Sequence, residues 1–246
     1  MPRLAVIGGH SILGLDWSGV DWPGVDWPGA APHRSIGVPS REVTVLETDD
    51  FVVLQRHGLD TYTPAHRVDH ARNLSALVGI GCERVLAVSS VGALRAELPV
   101  GTFVVPDDFI ALDQRPTSTF EDQRSHVVPA FTSGFRTELL AAWRRHAATP
   151  VVDGGVYWQS NGPRFETPAE VRLQARFADI VGMTVGSECV SACELGLEYA
   201  AICVVDNLAN GVGPQPLSMT EFEAGKAANL AQLLAALGVE VPELAA

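Results

Sequence analysis

Three short apolar runs, each closing on small or polar residues, restrict what this chain can fold into. Arg3 to Ile7 runs into Gly8-Gly9-His10-Ser11, a turn of the kind that cradles an anion with backbone amides. Arg84 to Val88 opens into Ser89-Ser90-Val91-Gly92, and Ala200 to Val205 delivers Asn207 at its carboxyl end. Apolar runs this short, bounded by turn residues, read as buried strands. Further strands are expected at Glu42 to Glu47, Phe51 to Gln55, Thr102 to Pro106, Gly155 to Gln159 and Ile180 to Met183. Helices are expected at Asp69 to Val78, Phe135 to Ala148, Pro168 to Phe177, Ser187 to Leu197 and Thr220 to Leu237. Thr167 and Glu170 form a capping box for the third of these. The alternation implies a single α/β domain with a mixed, mostly parallel sheet flanked by helices, in which ligands collect at the carboxyl ends of strands. A chain of 246 residues, 47% hydrophobic, suffices for one such domain over 1–246.

A net charge of −12 argues against a nucleic-acid or anionic-membrane partner, because phosphates would be repelled on average. Cys82, Cys189, Cys193 and Cys203 lack metal or redox spacing and are expected to be reduced core residues. Gly8, Gly9 and His10 interrupt the apolar N-terminus before a signal-peptide core is complete, and no apolar run is long enough to span a bilayer, so a cytoplasmic protein is expected. LDWSG, VDWPG and VDWPG repeat a five-residue unit at about 15–30. Proline, glycine and tryptophan at that density imply an exposed loop, either an insertion packing its own tryptophans or a flap or subunit contact.

Candidate site residues fall at strand ends. Phe165 suits contact with a flat ring and Glu166 accepts hydrogen bonds from N–H groups, although core packing and a helix N-terminal charge explain each separately. Asn207 supplies a donor and an acceptor. Met183 closes a strand, and Thr184 has a hydroxyl that either meets a ligand or caps the next helix. Arg56 is a fork for a tetrahedral oxyanion with His57 beside it, unless it pairs with an acidic neighbour such as Asp60.

Several motifs occur together and in order: AVIGG near the start, RHG at Arg56, SSVGAL at Ser89, VVPDDFI at Val104, NGPRFETPAEVR from Asn161, and VGMT. Across most of its length the chain resembles the trimeric nucleoside phosphorylases, a family that includes methylthioadenosine phosphorylases and 6-oxopurine nucleoside phosphorylases. The resemblance implies phosphate contacts at Arg56, Ser90 and Thr184, and base and ribose contacts at Phe165 and Met183. Asn207 stands where the methylthioadenosine enzymes carry the first aspartate of a TDYD motif, and Ala209 replaces the second. With Phe165-Glu166-Thr167, this points to a 6-oxopurine, whose O6 and N7 accept and whose N1–H donates. Met219 and Phe222 fall in the pocket for the 5' substituent, implying an apolar group there or at least no dedicated hydroxyl partner.

There are departures. His10 stands where a threonine or serine is usual, so a phosphate contact falls to His10 or to Ser11; Thr61 replaces a histidine and Asp69 an asparagine. The expected activity is phosphorolysis of inosine, guanosine or a 5'-methylthioinosine-like nucleoside, with Asn207, Glu166 and Arg56 as catalytic residues. No metal or organic cofactor is expected, inorganic phosphate is the co-substrate, and the assembly is a homotrimer. The alternatives are a nucleoside hydrolase, a phosphorylase for another 5'-modified nucleoside, and a silent purine-binding homologue.

Overall fold

A computed structural model describes residues 3–12, 33–38, 41–48, 51–59, 61–112, 118–146, 149–214 and 216–245. The tryptophan repeat and Asp60 lie outside the described residues. The strands are β1 (Arg3–Gly8), β2 (His33–Val38), β3 (Arg41–Glu47), β4 (Phe51–Gln55), β5 (Cys82–Ala93), β6 (Phe103–Val105), β7 (Asp108–Ile110), β8 (Val151–Asp153), β9 (Val156–Gln159), β10 (Ile180–Gly182) and β11 (Glu198–Leu208). The helices are α1 (His70–Gly79), α2 (Ser133–His146), α3 (Pro168–Gln174), α4 (Val185–Leu195) and α5 (Met219–Ala245).

All eleven strands join one sheet, ordered β2-β3-β4-β1-β5-β10-β9-β7, with β11 on β5 and on β6, and β8 on β6. The pairs β1–β4, β1–β5, β5–β11, β9–β10, β6–β8 and β7–β9 are parallel. Side chains alternate across the central strands with period two. Leu4, Val6, Leu86, Val88, Ile202 and Val204 share a core with Phe135, Leu139 and Trp143 of α2 and Leu233 and Leu237 of α5. Ala5, Ile7, Val85, Ala87, Ala201 and Cys203 share the other with Leu74 and Leu77 of α1 and Val185 and Cys189 of α4. Helices therefore cover both faces, which is why these strands are apolar throughout. Cys82, Cys189 and Cys203 are buried as expected, whereas Cys193 is only partly covered.

Several bounds differ from the sequence expectation. The Ser89-Ser90 pair lies inside β5, not beyond its end, because β5 keeps a partner in β11 through Ala93. The third helix stops at Gln174, and α5 runs on to Ala245. Asp69 caps α1 by accepting from the Arg72 amide (3.0 Å), and the capping box at Thr167 and Glu170 is present. Helix α5 lies close against β11 at Gly225, where any Cβ would overlap the Asp206 carbonyl oxygen, and this brings the start of α5 over the strand ends.

Candidate active site

The site originates in a split of the sheet. β1 accompanies β5 only to Ala87, and β10 joins β5 only at Gly92, so Val88 to Val91 lack a strand on that side. A cleft with a volume of about 140 Å³ opens there. Its walls contain His10, Arg56, His57, Ser90, Phe165, Glu166, Met183, Thr184, Asn207, Ala209, Met219 and Phe222. Of the expected site residues, only Ser11 is missing from the wall.

One side is built from Glu166 and Asn207. Glu166 is buried, yet among the described residues no hydrogen bond engages its carboxylate. Its backbone is pinned instead, with Asn210 Nδ2 donating to the Glu166 carbonyl (3.3 Å). Asn207 is buried and donates to the Leu208 carbonyl (3.0 Å), which leaves its side-chain oxygen and second N–H. At Gly162, whose φ of 63° favours glycine, a Cβ would meet Met183 Sδ at 2.5 Å, so glycine lets this loop close over Met183.

Four features mark the expected oxyanion side. First, Arg56 is not an open fork: Nε and Nη2 donate to the two oxygens of Glu188 (2.6 and 2.9 Å), Nη1 to Val88 O (2.9 Å) and Nη2 to Ile7 O (3.4 Å). Among the described residues, one of its five N–H groups has no acceptor and remains for a ligand. The ion-pair partner is Glu188, and the turn lets Arg56 pass because Gly9 has no Cβ to strike Nη1. Glu188 also accepts from Tyr199 Oη (2.9 Å) and lies 3.6 Å from His70 Nδ1. Burial pushes its pKa up, but the Arg56 charge and the His70 contact outweigh burial and hold it at about 2.

Second, His57 donates through Nδ1 to the Thr63 carbonyl (2.8 Å), while burial and then the Arg56 charge pull its pKa down to about 4. It is neutral at pH 7 and offers Nε2 as an acceptor, not a cation. Third, Ser11 is buried behind the wall, with its Oγ 2.6 Å from Ser90 Oγ. His10 does reach the wall, but its Nε2 is taken by Glu223 (2.9 Å), and its ring packs on Phe222 (centroids 5.1 Å) and His57 (5.9 Å). It bridges the regions expected for phosphate and for the 5' substituent. Fourth, Thr184 stands at the N-cap of α4 but its side chain makes no cap bond, so its hydroxyl is left to the cleft. Tyr157 Oη accepts from the Thr184 and Val185 amides (3.2 and 3.4 Å), and Gln159 Oε1 accepts from Gly186 (2.9 Å), which uses up those helix-start donors. Phe222 lies 5.9 Å from Phe165 and lines the far wall with Met219.

Glu188, Asp206 and Asn210 support the site without having been singled out from sequence. For Glu188 a signal existed: Val185 and Ala192, three before and four after it, are apolar, which puts a carboxylate on the buried face of a helix.

The cleft of this α/β fold combines an apolar slot, a buried carboxylate beside an amide, and a separate wall of hydroxyls and one guanidinium. Residues 20–239 match the Phosphorylase superfamily, and the chain belongs to it. A protein of Archaeoglobus fulgidus named a probable 6-oxopurine nucleoside phosphorylase is 40% identical over 76% of this chain and 76% of its own. A probable S-methyl-5'-thioinosine phosphorylase of Methanosarcina acetivorans is 37% identical over 82% and 79%. The 6-oxopurine nucleoside phosphorylase of Pyrococcus furiosus is 30% identical over 90% and 85%. A structure of methylthioadenosine phosphorylase from Schistosoma mansoni in complex with adenine shares the fold, with a TM-score of 0.78 over 98% of this chain and 91% of that one at 24% identity.

Proposed function

We propose that this protein phosphorolyses 6-oxopurine nucleosides, releasing hypoxanthine or guanine and ribose 1-phosphate or its 5'-modified counterpart. The observation that carries the reading is the Glu166 carboxylate, buried and without a protein hydrogen bond among the described residues, on the same cleft as the Asn207 amide. A carboxylate accepts the N1–H of a 6-oxopurine, and an amide donates to O6 or N7 as negative charge grows on the departing base. A 6-aminopurine lacks the N1–H and presents amino protons instead. Relatives named for 6-oxopurine nucleosides and for S-methyl-5'-thioinosine support the same class.

The C–N bond breaks as the ribose becomes cationic at C1', and a phosphate oxygen closes on that carbon. Phosphate meets Ser90, Thr184 and the remaining Nη1 hydrogen of Arg56, while Met183 and Phe165 exclude water from the sugar. Met219, Phe222 and the His10 ring surround the 5' group, an arrangement that suits an apolar substituent. The reaction in this proposal uses no metal or organic cofactor. We further propose a cytoplasmic homotrimer; among the described residues no helix is long and apolar enough to cross a membrane, and exposed apolar side chains such as Val128 and Phe177 suit subunit contacts.

The test is a ranking of kcat/KM for 5'-methylthioinosine, inosine, guanosine and adenosine. The 6-oxopurines are expected to exceed adenosine by about 100-fold, the discrimination one or two hydrogen bonds to a charged group supply. Adenosine turned over as well as inosine would refute the base assignment.

A further inference from the structure

Behind the cleft wall lies a buried polar cluster of which the reaction as described uses only Ser90. Asp206 is 1% exposed, and β11 is displaced by an irregularity in its pairing with β5 between Val205 and Asn207, where Asp206 sits. Its Oδ1 accepts from Asn229 Nδ2 (2.8 Å), and the same Nδ2 also donates to the Val205 carbonyl (3.0 Å). Its Oδ2 accepts from Ser90 Oγ, and from Ser11 Oγ at 3.2 Å. Ser11 and Ser90 touch each other at 2.6 Å, and only Ser90 reaches the cleft.

The donor count in this cluster has a chemical consequence. An ionised carboxylate accepts and cannot donate. With Asp206 ionised, Ser90 gives its proton to Oδ2, and Ser11 gives its own to Oδ2 or to Ser90. In that arrangement, set by Ser90 as the nearer of the two donors to Oδ2, no serine proton is turned to the cleft, and Ser90 shows an anion only lone pairs. We propose that Asp206 is a positioning residue that gates the phosphate site by protonation: it takes up one proton from solvent so that Ser90 can donate to phosphate. The site of that proton is fixed, because Asn229 occupies Oδ1 and leaves Oδ2 to carry it. Oδ2–H then donates to a serine oxygen, and the Ser90 hydroxyl turns to the phosphate. The inference rests on the reading that phosphate binds at Ser90.

The surroundings suit a carboxyl group that changes charge. Burial raises the Asp206 pKa, against the hydrogen bonds from Ser90, Asn229 and Ser11 and the charge of Lys226. Lys226 on α5 is ion-paired to Glu223 (2.8 Å), and Glu223 also holds His10 of the glycine turn. From β5 and that turn, Ser90 and Ser11 present hydroxyls to it.

The test compares phosphate KM for the wild-type protein and for Asp206→Asn across about pH 6 to 8, with inosine as substrate. In the variant, the amide nitrogen takes the place of Oδ2–H and fixes Ser90 in its donating arrangement at every pH. Ionisation of phosphate itself is common to both proteins and cancels in their ratio. The ratio of wild-type to variant KM is expected to grow by about tenfold or more across that range, as a site that must be protonated loses affinity tenfold per pH unit. A constant ratio in a folded, phosphate-dependent variant overturns the proposal and leaves the phosphorylase reading standing. Calorimetry of phosphate binding in two buffers of different ionisation enthalpy provides a route independent of Asp206→Asn folding. The wild type is expected to take up a proton that Ser90→Ala does not, and equal uptake by the two overturns the proposal. Cleavage of inosine that ignores phosphate removes the phosphorylase reading and this inference together.

Discussion

Glu188→Ala is expected to lower the free energy of unfolding by about 3–5 kcal/mol, the usual result of removing one partner of a buried ion pair. The size follows from what is left behind. The Arg56 side chain is 1% exposed and loses the partner that engages Nε and Nη2, while the Tyr199 hydroxyl loses its acceptor at 2.9 Å. Urea unfolding measures the loss, which corresponds to a fall in Tm of about 10 °C for a domain of this size. A change below about 1 kcal/mol would mean that the pair does not hold this part of the fold.

The same contacts predict an acid limb to stability. Glu188 has a folded pKa held at about 2, below its unfolded value, so its contribution is complete above about pH 4.3 and disappears as pH falls from there toward about 2. His57 acts in a higher window. Its folded pKa is pulled down to about 4, so the unfolded chain binds a proton first, and stability falls as pH drops from about 6.5 to about 4. Glu188→Ala removes the lower portion of this limb and leaves the His57 portion, although loss of Glu188 also alters the field at His57.

Asn207→Asp is expected to change which base the cleft accepts. Asn207 is buried on the wall with one N–H already given to the Leu208 carbonyl, so its remaining donor is what a 6-oxopurine needs. An aspartate there presents only acceptors to O6 and N7 and adds a second negative charge on the wall that holds Glu166. Loss of a hydrogen bond to a charging base costs about 2–3 kcal/mol, so kcat/KM for inosine should fall on the order of 100-fold. Adenosine, whose 6-amino group donates, should lose less or gain. Steady-state rates on both nucleosides give the answer, and an equal loss on both would show that Asn207 maintains the wall without reading the base.

These residues differ in how far the sequence disclosed them. The runs at Leu4, Leu86 and Ile202 were legible as strands because burial on both faces makes them apolar throughout, and Thr167 with Glu170 marked a helix start that the structure contains. The strand His33–Val38 was not, because it mixes polar and exposed positions at the edge of the sheet and has β3 as its one neighbour. The strands at Asp108 and Val151 have three residues each, too few to show a period. Arg56, Glu166, Thr184 and Asn207 could be placed at one cleft because each lies near the carboxyl end of a strand or close before a helix. Which hydrogen bonds they already make could not be read, since Arg56 meets Glu188 across 132 positions and Ser11 meets Asp206 across 195. That distance in sequence is why neither the ion pair of Arg56 with Glu188 nor the place of Ser11 behind the wall could be anticipated.

Hypoxanthine release from inosine, followed in phosphate buffer and again in a phosphate-free buffer with the sugar product identified, tests the central claim most directly. Release that requires phosphate, with ribose 1-phosphate as the sugar product, is the result this site predicts. Release at the same rate without phosphate, yielding free ribose, would contradict it and make the protein a hydrolase.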